Sequence, residues 1–323
     1  MRVVFTVSAV AAALLLPPAI AGADDYPNKP LRAITSQGAG GLSDIYMRAV
    51  ADGMGPLMGQ PVVVENRSGA AGAVGARACA DAEPDGYTFC ILPDTAVVYN
   101  PIIMPEQKFE PKERLFPITR LYDLTQVLAV TASLKVKTLE ELIEYTKAHP
   151  KTVSYMSPSL GKVAFLNELN EKRGTDFVRV PFRGGGDAVN AMLSNTAQVA
   201  SFGIGNLAAL IKEGKIVGLA MDGNKRSPLA PDVPTFKELG YPVEGITFFG
   251  LYAPMGTPKD KIERIYQAVK KIASNPDFDK KFLHGRGLVS VLSTPDEFEK
   301  DMERERAIAM RIIRQSGLYP HIK

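Results

Sequence analysis

The sequence predicts an α/β protein made of two doubly wound lobes. Short runs rich in β-branched and aromatic residues alternate with longer amphipathic stretches, which is the order expected of strands followed by helices. The alternation runs through one set of strands and restarts past Phe116. With 323 residues, the chain is also longer than one hydrophobic core usually serves.

The first set of elements lies before residue 100. Its strands are predicted at Leu31–Thr35, Pro61–Glu65 and Tyr87–Leu92. Ser43 and Asp44 are residue types that cap helices, so the first helix should begin there and run to about Met58. A second helix follows a segment with glycine at every third position and ends near Asp81. Strands separated by helices indicate a doubly wound half-sheet.

The second set follows Phe116. Strands are predicted at Gln126–Thr131, Val153–Met156, Phe177–Phe182, Ala197–Phe202 and Ile216–Met221. One helix begins at Thr138, which forms a capping-box pattern with Glu141, and two others end near Arg173 and Met192. After a polar, proline-bearing return segment, the chain ends with three elements: a strand near Thr247–Ala253 and helices at Lys259–Ala273 and Asp296–Gln315.

The first 23 residues have the composition of a secretory signal peptide. Arg2 precedes an apolar run from Val3 to Leu16, and the small-residue sequence Ala21-Gly22-Ala23 follows. The apolar run is too short to span a bilayer. We therefore expect cleavage after Ala23 and export to the periplasm.

Composition argues against several function classes. Without Arg2 the chain has 37 basic and 35 acidic residues, and the basic residues are scattered, so no nucleic-acid partner is expected. The three histidines show no paired spacing, so no metal site is expected. In an oxidising compartment Cys79 and Cys90 could form a disulfide, or they could be two small buried residues; the sequence leaves both possibilities open.

Several predicted strands end in loops of small or hydroxyl residues. These loops are Ser36–Gly41, Asp94–Ala96, Ser157–Gly161 and Gly184–Gly186. In open α/β sheets, ligands bind beyond the carboxyl ends of strands, where helix N-termini present N–H groups with partial positive charge. Such loops, facing one another across two lobes, would hold a carboxylate with little need for lysine or arginine.

Two patterns favour other functions. The glycine-rich turn after the first strand, together with Glu65, resembles a dinucleotide-binding turn, but Ser43 stands at the third glycine position and export separates the chain from nicotinamide cofactors. No cofactor is therefore expected. Ser159 and Lys162 form an S-x-x-K sequence, the nucleophile motif of penicillin-interacting enzymes. A periplasmic serine hydrolase using Ser159 and Lys162 is thus the alternative function, although neither K-T-G nor S-D-N follows.

A series of short motifs over the mature chain resembles one family. The motifs are Tyr26–Pro30, Gly40–Asp44, Val64–Gly75, Pro84–Thr88, Leu229–Phe236, Gly250–Pro258 and Ser293–Phe298. In these motifs the chain is similar to the extracytoplasmic solute receptors of tripartite tricarboxylate transporters, also called Bug-type receptors. Each motif alone is weak, but seven in the right order are specific.

The resemblance implies a type II periplasmic binding fold, in which the chain passes twice between two lobes. We place the crossings near residues 116–123 and 222–227, so that residues 24–120 plus 226–323 form the first lobe and 121–225 the second. The resemblance also implies a receptor, not an enzyme. It would bind a di- or tricarboxylate or an aromatic acid and deliver it to large and small integral membrane subunits of a transporter.

The strand-end loops and the resemblance together define a set of predicted ligand-binding residues. They are Ser36, Gln37, Gly38, Ala39, Gly40, Gly41, Ser43, Asp94, Thr95, Ser157, Ser159, Gly161, Arg183, Gly184 and Gly203. Ser36-Gln37-Gly38 replaces the Pro-Phe-Pro that such receptors usually carry, and this departure leaves the particular acid open. Lys162 and Arg183 suggest a doubly charged ligand.

Overall fold

The computed structural model describes residues 26–180, 185–241 and 243–322. The strands are β1 (Leu31–Thr35), β2 (Val62–Asn66), β3 (Thr88–Pro93), β4 (Leu115–Leu124), β5 (Gln126–Thr131), β6 (Ser154–Met156), β7 (Val178–Arg179), β8 (Val199–Gly203), β9 (Ile216–Met221), β10 (Phe248–Pro254) and β11 (Leu288–Ser290). The helices are α1 (Leu42–Met58), α2 (Ala73–Ala80), α3 (Asn100–Ile103), α4 (Pro111–Arg114), α5 (Leu139–Ala148), α6 (Leu160–Arg173), α7 (Gly185–Leu193), α8 (Ile204–Lys212), α9 (Lys259–Ala273), α10 (Pro276–Phe278) and α11 (Pro295–Ser316). Within these described ranges, no helix combines the length and apolarity needed to cross a membrane.

The strands form two sheets. The first has the order β11-β4-β10-β3-β1-β2, and the second has the order β7-β6-β8-β5-β9. β1 pairs in parallel with β2 and β3, and β6 pairs in parallel with β7 and β8. β10 is antiparallel to β3 and β4, as β5 is to β8 and β9. Each sheet is therefore a parallel half-sheet extended by antiparallel strands, which confirms the predicted α/β class.

The chain passes between the sheets twice. It leaves the first sheet at Thr125, between β4 and β5, and returns between β9 and β10. Because β4 lies beside β10 and β5 beside β9, the two crossings run next to each other. Leu124 N donates to Thr247 O at 2.8 Å, and Asp222 N donates to Gln126 O at 2.9 Å. This paired crossing is the type II arrangement that the resemblance implies.

Both predicted crossing boundaries fall too early in the chain. Residues 121–124, which we assigned to the second lobe, belong to β4, a continuous strand of ten residues in the first sheet. Residues 226–241, which we assigned to the first lobe, lie against the second sheet. Ala230 and Val233 are buried in the core on one face of that sheet, and Phe236 is buried in the core on the other face. This return segment has no apolar periodicity, so its sequence does not indicate which sheet it packs on.

Both sheets are covered by helices on their two faces. Successive residues of β3 alternate between the two cores of the first sheet. Phe89 and Ile91 are buried with α1 and α9, whereas Cys90 and Leu92 are buried with α2 and α11. Strand β5 alternates in the same way between a core with α5 and α6 and a core with α7 and α8. Burial on both faces explains why these strands are almost wholly apolar.

A disulfide joins Cys79 of α2 to Cys90 of β3, with a Cα–Cα distance of 6.1 Å. Both residues are fully buried. The bond ties a covering helix to an interior strand of the first sheet. The sequence left open whether Cys79 and Cys90 are bonded, and the structure shows that they are.

Candidate functional site

Two adjoining cavities lie between the loops of the two sheets. The first has a volume of about 380 Å³ and the second a volume of about 260 Å³. They share five lining residues, which come from the first sheet's loops (Ala71, Asp94, Thr95), from the loop before α6 (Pro158) and from the second crossing (Thr247). Both sheets and a crossing thus contribute to one cleft.

Only part of the predicted ligand-binding set lines this cleft. Ser36, Gln37, Asp94 and Thr95 line the first cavity, and Asp94, Thr95 and Ser159 line the second. The other predicted residues that the structure describes do not line either cavity. Gly38, Ala39 and Gly40 are exposed and Gly41 is half-buried, whereas the remaining four are buried: Ser43, Ser157, Gly161 and Gly203. Arg183 and Gly184 lie outside the described residues. The cleft is therefore formed by fewer loop residues than the strand-end argument predicts.

The Gln37 side chain occupies the N-terminus of α1. Its Oε1 accepts hydrogen bonds from Ser43 N at 2.9 Å and Ser43 Oγ at 3.0 Å. The helix begins at Leu42, so its N-cap residue is Gly41 and not Ser43, and the side-chain acceptor at this end of the helix comes from Gln37. Ser43 is fully buried and its donors are engaged within the protein. Ser36 Oγ, by contrast, is buried without a hydrogen-bond partner among the described residues and lines the first cavity.

Asp94 is a buried carboxyl group shared by both cavities. Its Oδ1 accepts hydrogen bonds from Thr95 N at 2.7 Å and from Thr95 Oγ1 at 3.2 Å. Burial raises the pKa of Asp94 to about 7, and the nearby Glu305 adds to this, while the Thr95 donors and Arg120 act in the opposite direction. Asp94 therefore changes charge near neutral pH inside the cleft.

A turn with left-handed backbone forms another wall of the cleft. Gly69, Ala70, Ala71 and Gly72 all have positive φ, and the two alanines have φ of 45° and 50°. Each alanine in this region costs roughly 1–2 kcal/mol relative to ordinary helical backbone. Asn100 stabilises the turn, because its Nδ2 donates to Ala70 O at 3.3 Å and to Ala71 O at 3.2 Å. Strained backbone of this kind clusters at ligand-binding sites.

The crossing strands add lining residues that the sequence did not single out. Gln126 and Thr247 both line the first cavity, and Gln126 Nε2 donates to Thr247 Oγ1 at 3.2 Å. Ser201 Oγ stands 3.5 Å from the other amide atom, Gln126 Oε1. The only sequence signal was a glutamine at the head of an otherwise apolar strand. Its hydrogen bonds join the two crossings beside the cleft.

The loop before α6 contributes fewer residues to the cleft lining than predicted, and strand β7 contributes one residue that was not predicted. Ser157 Oγ is turned toward the backbone, donating to Ser159 O at 3.3 Å and accepting from Ser159 N at 3.1 Å. A side chain on Gly161 would meet the Glu244 carbonyl at 2.5 Å, so this glycine permits close packing of the chain. Arg179, which the sequence did not single out, is exposed and lines the second cavity.

The S-x-x-K sequence does not form a catalytic pair. Lys162 is 1% exposed, and its Nζ lies 2.5 Å from Asp222 Oδ1 and 5.3 Å from the centre of the Phe236 ring. A lysine engaged with a buried carboxylate is not available as the base for Ser159. The hydrolase alternative is therefore not supported.

The raised pKa of Asp94 gives a pH-dependent stability. The folded protein binds more protons at this group than the unfolded chain, so its contribution to stability is present below about pH 4 and is lost as the pH rises through about 7. We expect Asp94→Asn to match the wild type near pH 4 and to exceed it by about 4 kcal/mol at pH 8. Urea unfolding at both pH values measures this. An equal gain in the free energy of unfolding at both pH values would contradict the raised pKa of Asp94.

Comparison with known proteins gives a consistent family. The model of the tripartite tricarboxylate transporter family receptor, TctC, matches residues 46–318. The UPF0065 protein in the gbd 5' region of Cupriavidus necator is 35% identical over 267 residues, which cover 81% of this chain and 80% of that protein. Protein BugT of Bordetella pertussis is 31% identical over 302 residues, 91% of each chain.

Solved structures resemble the whole described architecture. A protein solved as a periplasmic transporter has a TM-score of 0.76 and 31% identity, covering 91% of this chain and 99% of its own. MatC from Rhodopseudomonas palustris with bound malate has a TM-score of 0.72 and 24% identity, covering 89% of this chain and 100% of its own. An R. palustris protein with adipate has a TM-score of 0.76 and 24% identity, with 91% and 99% coverage. The last two likenesses bear on the fold alone.

Proposed function

The chain belongs to the tripartite tricarboxylate transporter receptor family, whose members are periplasmic solute-binding receptors and not enzymes, and we propose that it captures a small organic carboxylate between its lobes. The observation that carries this proposal is the cleft, which takes residues from both sheets and contains a buried hydroxyl, Ser36 Oγ, that has no hydrogen-bond partner within residues 26–180, 185–241 and 243–322. The family description, a receptor of tripartite tricarboxylate transporters, supports a carboxylic acid as the ligand.

The first cavity is the place we assign to the ligand carboxylate. Ser36 can donate its hydroxyl proton to an oxygen there, and the Gln37 amide nitrogen lies on a side chain that lines the same cavity. Hydrogen bonds to a charged acceptor contribute about 1.5–3 kcal/mol each. Leu42 and Phe249 supply apolar lining beside these donors, which suits the hydrocarbon part of an acid.

We further propose that the lobes close by bending at the paired crossings. In this proposal the first lobe comprises residues 26–124 and 248–322, and the second comprises 126–180 and 185–241. The bending points are Thr125 and residues 243–247, next to which the chain changes sheets. The closed form would be recognised by integral membrane subunits of a transporter, after cleavage of the signal peptide behind Ala23 and release into the periplasm.

A thermal-shift screen of mono-, di- and tricarboxylic and aromatic acids tests the ligand class. An acid at about a hundredfold its Kd should stabilise the protein by about 2.7 kcal/mol. A screen in which sugars or peptides raise the melting temperature and no acid does so would disprove the proposal.

The place of the carboxylate is tested with two serine variants. We expect Ser36→Ala to weaken binding of the identified acid about tenfold, because one hydrogen bond to a charged group is lost. Ser157→Ala is the matched control, since its hydroxyl is bonded to Ser159 behind the lining. Equal losses of affinity in the two variants, measured by titration calorimetry, would remove Ser36 from the site.

A further inference from the structure

Two buried side chains of the second cavity, Asp94 and Asn100, each have an acceptor atom with no hydrogen bond among the described residues. Asp94 is 4% exposed and Asn100 is 3% exposed, and both line this cavity. The two hydrogen bonds that Asp94 accepts both end at Oδ1, which leaves Oδ2 without a hydrogen bond among the described residues. Asn100 Oδ1 is likewise buried with no partner in the described part of the chain.

The orientation of the Asn100 amide follows from its own hydrogen bonds. Its nitrogen donates to two backbone carbonyls, Ala70 O and Ala71 O, and a carbonyl oxygen in that position would face only acceptors. The atom turned away from the turn is therefore Oδ1. The second cavity thus presents acceptors from two neighbouring segments, and a buried acceptor without a donor is costly.

From these two acceptors we propose that the second cavity selects ligands that carry an N–H donor group, an ammonium or a primary amide, a few atoms away from the carboxylate. This inference rests on the proposed function and names the subclass of acid. A primary amide supplies two N–H donors and an ammonium supplies three, so either can serve Asp94 and Asn100 together. The ammonium also compensates the charge of Asp94.

A second carboxylate is the competing occupant of this cavity, and Arg179 is the residue that would hold it. Arg179 is exposed on the two-residue strand β7, where water and salt weaken its attraction for an anion. Asp94 is buried in the same lining and repels a carboxylate most strongly when ionised. The buried acceptors therefore outweigh the exposed cation, and a donor group is favoured.

Titration calorimetry on the purified protein tests this with acids matched in length. Succinate, succinamate, 4-aminobutyrate and butyrate form the four-carbon set, and the corresponding five- and six-carbon sets cover longer ligands. At pH 8 we expect the wild type to bind the amide or amino acid of the fitting length about tenfold more tightly than the dicarboxylate. At pH 5.5 the preference should shrink, because Asp94 is then protonated.

Two variants test whether Asp94 causes the preference for a ligand with an N–H donor group. Asp94→Asn keeps the size of the side chain and should abolish the tenfold preference for the amino acid over the dicarboxylate at pH 8. Arg179→Gln should weaken binding of the dicarboxylate more than that of the amino acid, because only the dicarboxylate brings a second carboxylate to this cavity, so the preference for the amino acid should persist or grow. Thermal unfolding of each variant checks that it is folded.

The outcomes separate this inference from the proposed function. A wild type that prefers the dicarboxylate, with a preference that Arg179→Gln removes, would overturn the donor assignment and leave a carboxylate receptor. An unchanged preference in Asp94→Asn would overturn it as well. A protein that binds no acid of any set would overturn the proposed function itself.

Discussion

Replacing Lys162 with methionine should lower the free energy of unfolding by about 3–5 kcal/mol, because the substitution leaves the Asp222 carboxyl buried without its cation. Both side chains are almost fully enclosed, and Asp222 Oδ2 already has no hydrogen-bond partner among the described residues. Burial raises the pKa of Asp222, and the nearby Lys162 acts in the opposite direction. Urea unfolding at pH 8 measures the loss, which should shrink at pH 5 as Asp222 takes up a proton.

Two controls belong to this experiment. Lys172→Met removes an exposed lysine from the same helix, paired with Glu168 at 2.6 Å, and should leave the free energy of unfolding nearly unchanged, because water screens this pair. The double variant Lys162→Met/Asp222→Asn should recover part of the loss, since no unpaired charge remains. If Lys162→Met were as stable as Lys172→Met, the buried pair would have no role in holding α6 to the end of β9.

Removing the disulfide should cost about 3 kcal/mol of stability. The bond closes a loop between residues separated by 11 positions, and the unfolded chain regains the freedom of that loop when the bond is absent. We expect Cys79→Ala/Cys90→Ala to unfold at a correspondingly lower urea concentration.

The single variants make this prediction specific. Cys79→Ala and Cys90→Ala each abolish the same bond, so each should lose nearly as much as the double variant instead of half. The wild type treated with a reductant should fall to the same level. If the stability losses of the two single variants instead add up to that of the double variant, the cause is a packing defect at each site. If reduction leaves the stability unchanged, the bond does not constrain the unfolded chain.

Elements whose apolar pattern is continuous were predicted closely. The bounds of β1, β5, β9 and α9 agree with the sequence prediction. Strand β4 was mistaken for a crossing, because Pro117, Arg120 and Asp123 interrupt its apolar run. Arg120 is nevertheless buried, since its guanidinium contacts Asp123 at 2.7 Å and Glu305 of α11 at 3.0 Å. Glu305 lies 185 positions from Arg120 along the chain, so no local pattern contains this second partner.

Some residues of the predicted site line the cleft and others do not. Ser36 and Asp94 stand at strand ends and line it, as the strand-end rule expects from sheet topology. Which loop groups remain available depends on contacts inside the protein, such as the Gln37 side chain that takes the donors of Ser43. Asn100 and Gln126 enter the lining from a helix and a crossing strand, so a search confined to strand-end loops passes over them.

The left-handed turn at residues 69–72 has a consequence for the speed and selectivity of capture. Its shape is set by backbone torsions and by the amide of Asn100 beneath it, not by the solute. The turn is already ordered before the solute binds. Binding therefore costs little conformational entropy in this part of the protein. Selectivity between solutes then depends on the few side chains around that rigid surface. Substituting one of them would change the ligand preference without changing the backbone of the turn.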